Sequence, residues 1–167
     1  MRIAYLTVPA MITLLFLGGC SSQDGPTEVG QTVLLDSEPS NTQDVAEYKG
    51  ILAAGSGLGG DATIVGRVRS GGIEPWDTTQ ATFLLASANI EHDHEANAHS
   101  DCKFCQAKEL ESMVLVRVVD ESGSIINTDP RSLLGLKENQ VVIAQAQGTM
   151  DGEALLFDAS RIFIRDQ

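Results

Sequence analysis

From residue 61 onward the chain runs in short stretches rich in β-branched residues, with apolar and polar positions alternating. That period of two is the signature of half-buried strands. Residues 63–69 form the first such stretch. Residues 81–88 form the second and put Phe83 and Leu85 on one face. Residues 113–119 form the third, with Val114, Val116 and Val118 alternating against Leu115, Arg117 and Val119. Glu121-Ser122-Gly123-Ser124 is a turn signal, and Ile125-Ile126 offers an extension of the sheet. Asp129 precedes Pro130 and can cap a helix whose first position needs no N–H. Gly135 can close that helix after one or two turns. Residues 140–148 read as another strand. Asp151-Gly152 reads as a hairpin turn. Residues 154–157 return from it, and residues 161–165 close the chain with Ile162 and Ile164 on one face.

Three strands, a short helix and a two-strand hairpin form the element order of an OB-fold, a five-stranded, partly open Greek-key barrel. The run Leu136-Lys137-Glu138-Asn139-Gln140-Val141-Val142-Ile143 resembles that family's approach to its fourth strand. Ala159-Ser160-Arg161-Ile162-Phe163 resembles its ending. The expected fold class is therefore all-β: a small OB-fold-like five-stranded barrel with one short helix, in a domain over residues 47–167. The resemblance covers roughly residues 61–167 apart from an insertion at about 89–111. It rests on the order of elements, so it implies shape and little chemistry. A different small barrel or a sandwich remains the alternative.

The N-terminal region has another character. Arg2, a mostly apolar stretch and small residues before a cysteine are the parts of a secretory signal over residues 1–19. The apolar stretch is short for a membrane span and is interrupted by Pro9. Leu17-Gly18-Gly19-Cys20 resembles the bacterial lipobox. That resemblance implies cleavage before Cys20, diacylglycerol on its thiol and acylation of the new amine, so several chains hold the protein to a membrane. Ser21 and Ser22 resemble outer-membrane sorting, which implies the periplasmic face of the outer membrane in the cell envelope. Residues 20–46 are polar apart from Val33-Leu34-Leu35 and are expected to form a flexible, disordered tether. Gly55-Ser56-Gly57-Leu58-Gly59-Gly60 matches a dinucleotide-binding spacing, but a strand rather than a helix is expected after it, so it reads as a glycine turn.

Charge narrows the classes of partner. The net charge is -12, and loss of Arg2 with the signal leaves -13. Such a surface repels phosphate backbones, so nucleic acid is not an expected partner, nor is a nucleotide. It also disfavours electrostatic attraction to anionic lipid.

The candidate chemistry lies in one excursion between the second and third strands. All three histidines, His92, His94 and His99, fall there together with Cys102 and Cys105. Imidazole and thiolate are the donors zinc takes in a tetrahedron, and they also suit Cu(I). A C-x-x-C turn lets two sulfurs face one ion, with two of the histidines completing the shell. The five residues are thus the expected metal ligands, for zinc or copper, although the spacing matches no standard zinc finger. Two other readings stay open. Cys102 and Cys105 can form a disulfide in an oxidising compartment, or a redox pair. Covalent haem attachment is excluded because Gln106, not histidine, follows Cys105.

No catalytic constellation is apparent. There is no G-x-S-x-G elbow, and nothing selects Glu91 or Glu95 as a base beside an open metal position. Trp76 reads as a packing residue at the barrel rim, with ligand stacking as the alternative. The sequence thus points to a lipid-anchored extracytoplasmic metal-binding module. Its rival is a structural envelope protein that binds a protein partner and carries a Cys102–Cys105 disulfide.

Overall fold

The computed structural model describes residues 25–54, 60–69, 73–89, 113–151 and 154–165. The elements are α1 (Glu28–Val33), β1 (Gln43–Asp44), α2 (Val45–Ala53), β2 (Asp61–Val68), β3 (Thr82–Ser87), β4 (Val114–Val118), α3 (Pro130–Leu134), β5 (Val141–Asp151) and β6 (Ala154–Ile164). The strands form one mixed six-stranded sheet in the order β1-β2-β3-β4-β6-β5, and β2 also pairs with β5. The protein is thus predominantly β with a few short helices.

The alternation read from the chain survives in the burial pattern. Along β4, Val114, Val116 and Val118 are buried while Leu115 and Arg117 are partly exposed. Phe83 and Leu85 of β3 are both completely buried. Each such side chain removed from water stabilises the fold by about 2 kcal/mol. The helix also forms as its sequence implies. The Asp129 carboxylate accepts from the Arg131 N–H, Pro130 opens α3, and Gly135 closes it at φ 70. Gly123 takes φ 81 in the turn after β4. The two expected pieces at 154–157 and 161–165 are one continuous strand, β6. It stays continuous because a register shift at Gln145/Ala146 absorbs Ser160 as an extra residue. The pair Asp151↔Ala154 leaves residues 152 and 153 between the strands, outside the described residues.

Strand directions define two ends. β2 and β6 both run antiparallel to β5, β3 runs antiparallel to β2 and β4, and β4 is parallel to β6. The connection from β2 to β3 and the one from β4 through α3 to β5 therefore lie at one end, termed here the α3 end. The connection from β3 to β4 and the β5–β6 hairpin lie at the other, the hairpin end.

The expected tether is a correction. From Gly25 onward the chain is folded against the sheet. Thr27 caps α1, with its Oγ1 accepting from the Gly30 N–H, and the Thr27 N–H donates to the Leu133 carbonyl of α3. Leu34 then bridges Ile162 of β6, and β1 pairs in parallel with Ile64 and Val65 of β2. In the register of the sheet, Ile64, Ala144 and Ile162 lie side by side. Residues 35–42 therefore lead from one edge of the β6-β5-β2 trio to the other, and Glu38 pairs with Arg165 on the way. Val33, Val45, Tyr48 and Leu52 belong to the same core cluster as Phe83 and Phe157. The domain thus includes residues 25–46 and does not begin at residue 47. The polar composition hid this because the few apolar residues are spaced to meet surfaces supplied by distant strands. Residues 20–24 lie outside the described residues.

Candidate functional site

The two feet of the His/Cys excursion are well defined. β3 ends at Ser87 and β4 begins at Val114, and Leu85 pairs with Val114 in register. The excursion thus leaves and rejoins neighbouring antiparallel strands at the hairpin end. Asp44, only 8% exposed, joins the first foot to α2. Its Oδ1 accepts from the Ala46 N–H at 2.9 Å and caps the helix. Its Oδ2 accepts from the Ala88 N–H at 2.9 Å. The Asn89 N–H donates to Ser87 Oγ at 3.2 Å. On the second foot, Lys49 Nζ of α2 donates to the Met113 carbonyl at 3.4 Å. α2 therefore holds both ends of the excursion from one side.

Replacement of Asp44 by Ala strands two amides at once. Loss of a cap costs about 1 kcal/mol, and a buried N–H left without a partner costs about 1–3 kcal/mol more. A lower urea midpoint together with faster hydrogen exchange at the Ala88 amide is the expected result. Asp44→Asn keeps one acceptor and is the milder change.

His92, His94, His99, Cys102 and Cys105 all lie outside the described residues, as does Cys20. The described residues contain no His or Cys, and among them no group of three or more His, Cys, Asp or Glu side chains is arranged to hold a metal ion. Every His and Cys other than Cys20 belongs to the excursion. No helix among the described residues is long and apolar enough to cross a membrane. Of the glycine run, Gly60 is described, and strand β2 follows it directly.

The opposite end carries a second cluster. Trp76 bridges Phe83 and packs partly buried against the core. The Arg131 guanidinium carbon stands 5.1 Å from the centroid of its ring, within cation–π range. Trp76 Nε1 is buried with no hydrogen-bond partner, and so is Thr82 Oγ1. Arg131 also pairs with Asp129. Hydrogen bonds from the Arg131 side chain hold the Asp129 carboxyl below its usual range, and Asp129 raises Arg131 in turn. Asp77 is lowered by its hydrogen bonds from Thr79, and Asp120 by those from Ser122 and Ser124. The rim-packing reading of Trp76 thus has a definite geometry.

Asp44 and Lys49 were not among the residues singled out from sequence. A signal was present. Asp44 and Glu47 stand at capping-box spacing, and Val45, Tyr48 and Leu52 fall at i, i+3 and i+7, one face of a helix. No family model, curated protein or solved structure matches this chain.

Proposed function

We propose that this chain is a lipid-anchored extracytoplasmic module in which an OB-type barrel presents a metal-binding excursion. Cys20 carries the lipid at the periplasmic face of the outer membrane. His92, His94, His99, Cys102 and Cys105 supply the ligands for one zinc or copper ion. The OB reading draws support from the pairing circuit: β2 pairs β3, β3 pairs β4, β4 pairs β6 in parallel, β6 pairs β5, and β5 pairs β2 again. Helix α3 falls between β4 and β5, the third and fourth of those five strands in chain order, as the family pattern requires.

The observation that carries the metal reading is the concentration of every histidine and both remaining cysteines between two pinned feet. Holding the ends of a segment lowers the entropy lost when its donors gather round an ion. The ion's chemistry here is ligand binding, with no substrate implied.

Metal analysis of the untagged full chain tests this. One equivalent of zinc or copper is expected, retained through purification and lost in the Cys102→Ser/Cys105→Ser variant. A metal-free protein without titratable thiols at Cys102 and Cys105 overturns it in favour of a disulfide in a structural envelope protein.

A further inference from the structure

We infer that the α3 end of the domain is the face laid against a zwitterionic lipid bilayer, with Val29 and Ile73 at the contact and Trp76 behind it. The feet of the His/Cys excursion then stand at the far end. This rests on the reading of Cys20 as the lipidated residue.

The described residues begin at the α3 end. Pro26 lies beside Gly135, and the Thr27 N–H donates to the Leu133 carbonyl of α3. The five steps from Cys20 to Gly25 span at most about 18 Å even when fully extended. A lipid on Cys20 therefore keeps the α3 end close to the headgroups. The feet of the excursion lie at the opposite end of the strands. Along β3 itself, Thr82 stands at the α3 end and Ser87 at the first foot, a run of about 17 Å.

The surface at the anchored end suits that position. Val29 and Ile73 are the exposed large hydrophobic residues among the described residues, at 53% and 56% exposure. Val29 lies on α1, which packs on α3, and Ile73 lies in the β2–β3 connection. Both are at the α3 end. Trp76, under Arg131, belongs to the same connection. Tryptophan is favoured at membrane–water interfaces, and here the partly buried ring of Trp76 lies behind the contact with its Nε1 turned away from solvent. Glu28, Glu74, Asp77, Asp120, Glu121, Asp129 and Glu138 outnumber Arg69, Arg131 and Lys137 at this end, so anionic headgroups are disfavoured and zwitterionic ones are the fitting surface.

Trp76 is the only tryptophan, so its fluorescence reports this face alone. The full acylated chain is placed in phosphatidylcholine vesicles, some of whose headgroups carry a nitroxide. Quenching of Trp76 by roughly twofold is expected for an interfacial ring. A thirty-residue Gly/Ser insert after Ser22 adds a coil of about 30 Å. Quenching persists in that extended chain if the surface itself holds the contact. It then disappears on adding Val29→Ser/Ile73→Ser, two exposed changes that the fold tolerates. An unquenched native chain overturns the inference. So does an extended chain that loses quenching without the serine changes, or keeps it with them. Mass spectrometry of the same sample separates the two levels. An unmodified Cys20 overturns the anchor reading and this inference with it, whereas an acylated chain with unquenched Trp76 overturns the inference alone.

Discussion

Phe157→Ala lowers the stability of the domain by about 4 kcal/mol, within the range for truncating a fully buried phenylalanine. Phe157 is completely buried on β6, with Val116 of β4 and Gly148 of β5 as register partners. Its ring lies 5.3 Å from that of Tyr48, tilted by 47°. A Cβ on Gly148 would come within 3.0 Å of the Phe157 ring and 3.1 Å of the Tyr48 ring, so both rings sit directly over that glycine. The side chain therefore fills the sheet interior and also docks α2. Its removal leaves a cavity that backbone on two sides cannot close. A small domain holds only about 5–15 kcal/mol in total, so urea unfolding should show a large fall in midpoint. Phe157→Leu retains most of the volume and is expected to cost roughly 1.5 kcal/mol or less. Because α2 and its cap hold both feet of the excursion through Lys49 and Asp44, hydrogen exchange at the Ala88 amide should quicken in the Ala variant before the fold is lost.

Gly30→Ala is expected to destabilise by about 3 kcal/mol, the upper part of the usual range for overpacking. Helix propensity alone predicts the opposite sign, since Ala is favoured over Gly by about 1 kcal/mol within a helix. Contact decides. A Cβ at Gly30 would stand 1.7 Å from the carbonyl oxygen of Leu133 and 2.8 Å from its carbon. These are backbone atoms of α3 and cannot rotate aside. α1 would have to lift away, breaking the hydrogen bond from the Thr27 N–H to Leu133. Gly50 provides the control. It lies exposed in α2 with nothing within 4 Å of its would-be Cβ. Gly50→Ala should therefore raise stability by about 0.5–1 kcal/mol. Thermal or urea unfolding of the two variants side by side checks both signs.

The parts of the fold that were legible share one property: their signal is local. β2, β3 and β4 declared themselves because alternate side chains face a core on one side only, which imposes a period of two on neighbouring residues. α3 was legible in Asp129, Pro130 and Gly135, since each satisfies or relieves a backbone group of that same helix. The His/Cys excursion was legible as an interruption between two such strands, and its limits agree with the ends of β3 and β4.

Residues 25–46 were misread because their structure depends on partners far along the chain. α1 has six residues, too few to be stable alone. It exists through contact with Leu133, more than a hundred residues away. β1 is two residues that pair with β2, and no local pattern marks so short a strand. Asp44 looked like one more acid in a polar stretch, yet it is buried because it meets the amides of Ala46 and Ala88.

By itself, then, the sequence determined the strand pattern, the capped helix, the acidic charge and the grouping of all three histidines with Cys102 and Cys105 in one segment. These follow from side-chain chemistry and short-range periodicity. Only the tertiary structure decided that residues 25–46 belong to the domain, that α2 clamps both feet of the excursion, and that residues 26–27 and those feet occupy opposite ends of the strands. Each of those outcomes is a contact between surfaces that form only after the sheet has assembled, so no window of neighbouring residues encodes it.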